Sequence, residues 1–449
     1  MTSGRIGWLA PLYVALCIIV GGASAGGYIA NAGLQLLAVL LLALAWLAQP
    51  DAVSAGPKRW LWLILASALA VALVQLVPLP AAVWRALPGR DVLAAQMDFA
   101  DIRQVYAFVS LMPHESFKSA IWFLPAAALL CVTLRAPIVL GPRRLALAVT
   151  SATCLAVIVA ALQKSQGSGS PLYFYDITNL GSAVGFFANA NHMASLLLVA
   201  IPFQTALLAE ALERTDERRL IGIAAVLGTL GLTITGIAVN GSLAGYGLLL
   251  PVSIASALIV SPQPSLRKKV VALMVPALAA GTAILFATAE GRAMLDSAAT
   301  MPAGSRQAIF TVSWHAIRDF WPVGSGIGTF AELYASYEDP ATVTRTYINH
   351  AHNDYIELVL ETGLAGLILL AAFLVWWGWC ALRIWRDDRA SPYVLAAVVA
   401  SATLLTHSLV DYPLRTAALS SIFAVSISLM ALAATAGIRP RLAPQAGAN

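Results

Sequence analysis

Residues 349–366, NHAHNDYIELVLETGLAG, form the densest set of chemically able side chains in the sequence. Two of the six histidines, His350 and His352, stand there with two asparagines, one aspartate and two glutamates. A histidine at a wet membrane surface is neutral near pH 7 and accepts a proton from a hydroxyl. Spaced two apart, His350 and His352 do not share a helix face. The spacing instead puts them astride a loop-to-helix junction, with Asn353 or Asp354 as the N-cap. Capping accounts for one Asn or Asp but calls for no histidine, so the stretch reads as functional. Zinc binding by His350, His352 and Asp354 lacks a fourth ligand at recognisable spacing.

Three further polar clusters accompany it. The stretch 304–330, GSRQAIFTVSWHAIRDFWPVGSGIGTF, reads as a loop, an amphipathic helix and a glycine-rich turn. Its polar members are Arg306, His315, Arg318 and Asp319. A positive side chain here could grip a phosphate bidentately, whereas Arg318 and His315 taken alone fit a solvated face. The Gly324, Gly326, Gly328 pattern has no strand before it and so does not read as a dinucleotide site. GFFANANHMAS (185–195) puts Asn189, Asn191 and His192 at the mouth of an apolar run, with helix capping as the alternative. THSLVDYPLR (406–415) spaces His407 and Asp411 four apart on one helix face, with Arg415 just beyond. A purely structural His407–Asp411 pair is the other reading there. Polar groups inside a membrane span are costly and usually paired or functional.

The elements that must hold these groups are membrane helices. With 59% hydrophobic and 11% charged residues in 449, the composition departs from soluble domains, where about a quarter are charged. Apolar runs of eighteen or more residues recur, each long enough for a bilayer core of roughly 30 Å. The expected fold is all-α and polytopic, with about twelve spans: 7–22, 28–48, 60–79, 116–135, 143–163, 192–212, 219–238, 242–261, 269–288, 354–382, 392–412 and 416–437. Arg5, the first apolar run and Ala23-Ser24-Ala25 imitate a cleavable signal, but an uncleaved first span is preferred.

With a cytoplasmic amino terminus, the inside segments collect most of the 27 lysines and arginines, as the positive-inside rule requires. Long segments 80–115, 164–191 and 289–353 then face outside, the last of them a large loop before the tenth helix. All four polar clusters land on that outer side, which points to one composite site. The expected division is 1–163 for the first five helices, 164–437 for the membrane domain with the site, and 438–449 for a cytoplasmic tail. Trp46, Trp60, Trp62 and Trp122 lie near span ends, as an interfacial belt predicts. Cys17, Cys131, Cys154 and Cys380 are scattered in apolar runs without C-x-x-C spacing, and read as small buried hydrophobes. The net charge of +5 follows topology and does not indicate nucleic-acid binding.

A transfer reaction on the outer face of an inner membrane must draw on a donor that arrives activated, such as a lipid-linked diphosphate. It needs cations for the diphosphate and a base for the incoming hydroxyl. Arg306 with a histidine of HAHNDY would supply both. The chain resembles the bacterial O-antigen ligase/polymerase superfamily, membrane glycosyltransferases of the GT-C type. The resemblance rests on His352-Asn353, nine residues, then Gly363-Leu364-Ala365-Gly366. It is supported by Arg306 with its helix and GSGIGTF turn, by GFFANANHMAS and by HSLVDYPLR, across roughly 185–415.

The resemblance implies an undecaprenyl-diphosphate-linked glycan donor, a lipid A–core or glycan acceptor, membrane lipids as surroundings, and neither metal nor nucleotide cofactor. It implies an inner-membrane location with the site facing the periplasm, His352 as general base and Arg306 as diphosphate contact. Arg415, His350, Asn353, Asn191, His192 and Asp411 complete the expected substrate-binding set. One departure stands out. The family often has Ser-Arg where this chain has Ser242-Leu243, so a second diphosphate cation must come from elsewhere, with Arg415 ranked ahead of Arg318 and Arg292. The full signature favours ligation to lipid A–core; a Wzy-type polymerase and an O-linked protein glycan transferase are the relatives that would differ in acceptor. A transporter or flippase would place ionisable residues mid-membrane and show repeated halves, neither of which the sequence does.

Overall fold

The computed structural model describes residues 6–47, 56–261, 306–340, 343 and 348–436. In chain order the helices are α1 (Leu9–Val20), α2 (Tyr28–Leu47), α3 (Pro57–Val74), α4 (Ala81–Arg85), α5 (Asp91–Phe99), α6 (Pro113–Trp122), α7 (Leu124–Arg135) and α8 (Pro142–Gln166). There follow α9 (Ala190–Glu213), α10 (Arg218–Asn240), α11 (Leu243–Val260), α12 (Arg306–Phe320), α13 (Phe330–Tyr337), α14 (Asp354–Arg386), α15 (Pro392–His407) and α16 (Ala417–Ala436). Strands β1 (Pro78–Pro80) and β2 (Tyr106–Phe108) pair antiparallel, and an isolated bridge joins Gly22 to Phe187; the described residues are otherwise helical or irregular.

Among the described residues, eight helices are long and apolar enough to cross a membrane, or nine if α6 and α7, bent by 44° at their junction, count as one span. Two expected spans are shorter than expected: α1 has 12 residues, and α15 stops at His407, before Asp411. The expected span 269–288, all of 289–305 including Arg292, and the tail 438–449 lie outside the described residues. Helices α9 and α16 are the most enclosed spans, with 83% of their apolar windows buried, and α9 packs against α8, α10, α11 and α15. Their Ala-, Leu- and Ser-rich faces admit close helix approach, as membrane helix packing favours.

Two smaller cores sit apart from the main one. Ile309, Ile317 and Phe320 of α12 pack with Phe330 and Tyr334 of α13, Ala351 and Leu360. Trp84, Ala94 and Ala107 form the other, within 80–115. Segment 80–115 and the described part of 306–353 therefore carry small apolar cores of their own.

The element that positions the site is α14, which is broken at Gly363 (φ 59°, ψ −143°). Only glycine takes that backbone freely, and a Cβ there would lie 2.1 Å from Pro322 O. A broken helix leaves carbonyls without partners, and the glycine-rich turn supplies donors. Ser325 N donates to Leu360 O (3.0 Å), Gly326 N to Glu361 O (2.9 Å) and Leu364 N to Pro322 O (2.9 Å). Gln75 locks the junction from α3's end: its Nε2 donates to Glu361 O (2.9 Å) and its Oε1 accepts from Ile327 N (2.9 Å). Buried Arg90 donates to Gly324 O (2.9 Å) and Val109 O (2.7 Å), tying 80–115 to the same turn. The first two turns of α14 thus become a separately anchored platform above the span.

Candidate active site

Asp411 is the node of the site. It lies in the turn after α15, fully buried, with its N–H donating to His407 O (3.0 Å). Four side chains from three segments aim at its carboxylate. His352 Nδ1 stands 3.6 Å from Oδ1, His192 Nε2 3.8 Å from Oδ1, and Arg306 3.5 Å from Oδ2. Asn191 Nδ2 donates a short hydrogen bond to Oδ2. Asn191 is held in turn, because Ser242 donates to its Oδ1 (2.7 Å) while capping α11 through Gly245 N (3.1 Å). Burial pushes the Asp411 carboxyl up, but contact with His352 and the neighbouring imidazoles of His192 and His407 outweighs it and holds the group well below the usual carboxylate range.

Tyr412 supports three of the histidines on one ring. Centroid distances are 4.3 Å to His350, 4.9 Å to His192 and 5.0 Å to His352. His350 Nδ1 donates to Glu357 Oε1 (2.8 Å), fixing its orientation. His352 takes a left-handed backbone (φ 50°), uncommon outside glycine and found at functional turns. That conformation turns its ring toward Asp411 while Asn353 enters the helix. Asn353 Oδ1 caps α14 by accepting from Tyr355 N and Ile356 N (both 3.0 Å), and its Nδ2 donates to Leu409 O (2.8 Å).

Arg415 is a second node. Its guanidinium meets Asp354 at 3.5 Å, Glu357 at 3.2 Å and Glu361 at 3.2 Å, with 11% of the side chain exposed. Burial alone would lower its pKa, but the carboxylates of Glu357, Glu361 and Asp354 raise it above the ordinary arginine value. The carboxylates have other donors too: Ala351 N to Glu357 (2.8 Å), Gly328 N to Glu361 (2.7 Å) and Ser408 Oγ to Asp354 (2.7 Å).

The structure therefore brings together His352, Arg306, Asp411, Asn191, His192 and His350, as four separate sequence stretches. It separates others from the expected role. Arg415 has its charge already opposed by three carboxylates, so it is a brace rather than an open anion contact. Asn353 is spent on the helix cap and the Leu409 carbonyl. His407 is not paired with Asp411 along a helix face, because α15 ends at His407; its Nδ1 bonds Ser195 Oγ at 2.7 Å. Leu243, where the family often has arginine, is 85% exposed. Arg318 stacks over Trp314 at 5.9 Å and Asp319 accepts from Tyr337 OH at 2.6 Å, both on the exposed face of α12.

Sequence reasoning missed Asp354, Glu357 and Glu361 as a unit, although their spacing of three and four puts them on one helix face. It also missed Tyr412, Ser242 and the buried Arg90. Among the described residues no three His, Cys, Asp or Glu side chains converge as metal ligands do. A cavity of about 230 Å³ is lined by His350 together with Tyr28, Lys118, Trp122, Phe330, Glu332 and Arg415 among others.

In the Asp411 cluster, Arg306, at 43%, and His352, at 26%, have side chains open to solvent. A base and a cation thus reach the surface together, held by one buried carboxylate. Residues 223–371 match the family model described as O-Antigen ligase, a segment that includes Arg306, His352 and the broken helix. A comparison with curated proteins gives no match.

Proposed function

We propose that the chain is a transferase of the O-antigen ligase type, on the match of residues 223–371 to that family's model, and that it transfers a glycan from undecaprenyl diphosphate to an acceptor hydroxyl on the periplasmic face, with O-antigen ligation to lipid A–core as the reaction. The family supports a membrane glycosyltransferase-like ligase or polymerase role. The observation that carries the finer reading is the shared hold of Asp411 on His352 and Arg306.

With Nδ1 of His352 turned to Asp411, Nε2 is the nitrogen left for the acceptor. It takes the proton of the acceptor hydroxyl as that oxygen attacks the anomeric carbon. The new carbon–oxygen bond forms as the bond from the anomeric carbon to the phosphate oxygen breaks, and the electron pair leaves on undecaprenyl diphosphate. Attack opposite the leaving group inverts the anomeric centre. Arg306 opposes the charge gathering on the diphosphate. Ionised Asp411 favours the imidazolium formed at His352 and keeps the ring in place. His192 and Asn191 hold the carboxylate, and Tyr412 holds the imidazoles.

The test supplies purified protein in lipid with undecaprenyl-diphosphate glycan and two acceptors, lipid A–core and free glycan chains. Labelled glycan on lipid A–core, absent from Arg306→Ala, is the expected result. Chain lengthening alone would replace ligation by polymerisation, and no transfer to either acceptor would sink the transferase reading.

A further inference from the structure

We propose that the cavity beside His350 is a sugar subsite for one neutral or amino-bearing ring of the transferred or receiving glycan, and that its acidic wall confines the diphosphate to the Arg306 side of Tyr412. The inference rests on the glycan-transfer reading and adds where a ring sits.

The cavity volume, about 230 Å³, falls below the roughly 300–1,000 Å³ of pockets for drug-sized ligands. It suits one ring rather than a chain. Its wall is partly aromatic: Tyr28 and Trp122 meet edge to face, with centroids 6.2 Å apart, and Phe330 lines the inner side. The C–H face of a pyranose packs on such rings, while its hydroxyls need polar partners at the edge. His350 supplies one, since its Nε2 is buried without a hydrogen-bond partner while Nδ1 is taken by Glu357.

Charge decides what the cavity refuses. Glu115, Glu332, Glu357 and Glu361 line it against only two permanent cations, Lys118 and Arg415. Both cations are committed, Lys118 to Glu115 at 3.0 Å and Arg415 to its three carboxylates. A lining with surplus acid repels a diphosphate and tolerates a neutral or ammonium-bearing sugar. Across Tyr412 the balance reverses, with Arg306 reaching solvent beside a single carboxylate. The ring of Tyr412 touches both His350, which lines the cavity, and His352, which does not. A glycan held at His350 thus meets the base and the diphosphate at His352 and Arg306.

The test is ligand-observed saturation-transfer NMR on the full chain in nanodiscs, with glucosamine, N-acetylglucosamine and inorganic pyrophosphate as probes. Both sugars should bind the wild type. Ala331→Phe, which puts a ring into the cavity, should weaken both at least tenfold and leave pyrophosphate binding unchanged. Arg306→Ala should do the reverse. Glu332→Gln should weaken glucosamine more than N-acetylglucosamine, and it carries the test if Ala331→Phe fails to fold. Sugar binding that survives both cavity variants, or pyrophosphate displaced by Ala331→Phe, would overturn the subsite.

Kinetics of Ala331→Phe separate the two sources of the ring. A raised donor KM assigns it to the donor and a raised acceptor KM to the acceptor; no change in either overturns the proposal. Sugar binding lost on filling the cavity, in a protein that transfers no glycan, would leave the subsite standing and remove the transferase reading instead.

Discussion

At the scale of single residues, two arginines with the same charge have opposite jobs. Arg306 reaches solvent and has one carboxylate neighbour, whereas Arg415 is buried among three. Removing Arg415 leaves three buried acids opposed by no cation, and breaking such a pair costs about 3–5 kcal/mol. Arg415→Ala should therefore lose folded protein, seen as a lower thermal unfolding midpoint and poor recovery from detergent. Arg306→Ala should unfold within a few degrees of wild type and lose activity. Equal stability of the two variants would contradict the assignment.

Asp411 gives a pH prediction. Its folded pKa is depressed, so ionisation stabilises the fold above the unfolded carboxylate pKa of about 4, and that contribution fades as pH falls below it. Wild type should lose stability between about pH 4 and pH 2 more steeply than Asp411→Asn, as circular dichroism melts at stepped pH would record. The histidine–asparagine pair and Arg306 were legible in the sequence by type and spacing. The role of Arg415 was not, because the carboxylates that claim it lie some fifty residues earlier, and only the fold joins them.

At the scale of elements, the broken α14 explains what the two spaced glycines of the signature do. Gly363 permits the kink, and Gly366 sits where a Cβ would be 1.7 Å from Thr362 Oγ1. The kink was hidden because residues 354–382 read as one apolar helix, in which a lone glycine is unremarkable. Its cause, the turn at 322–326, is far away in sequence. Gly363→Ala should destabilise the platform by about 1–3 kcal/mol through backbone strain alone, and the clash with Pro322 O adds to that. Hydrogen exchange at 354–362 should rise in Gly363→Ala while α9 stays protected; unchanged exchange would argue against the platform. Asn353→Ala should cost about 1 kcal/mol as a lost cap. The segment 80–115 was read only as a loop, since its short helices and three-residue strands leave no period long enough to detect.

At the scale of the whole molecule, hydropathy made the membrane class and most helix positions legible, because an apolar run long enough for the bilayer announces itself. It did not reveal that α15 ends at His407 or that α6 and α7 bend apart, as both follow from packing. The proposed orientation rests on lysine and arginine placement. It predicts that Val343→Cys, exposed before the site, reacts with an impermeant maleimide in spheroplasts of a strain lacking the native cysteines. Arg389→Cys should react only after lysis.

The claim that joins all three scales is that Asp411 presents a base and a cation to one lipid-linked substrate. The most direct measurement is the initial rate of undecaprenyl diphosphate release by wild type, His352→Ala and Arg306→Ala in the same lipid. With the unfolding midpoint of His352→Ala close to wild type, its rate should fall about 10²- to 10⁴-fold, the usual contribution of a positioned base. A His352→Ala variant that releases undecaprenyl diphosphate at the wild-type rate would contradict the account.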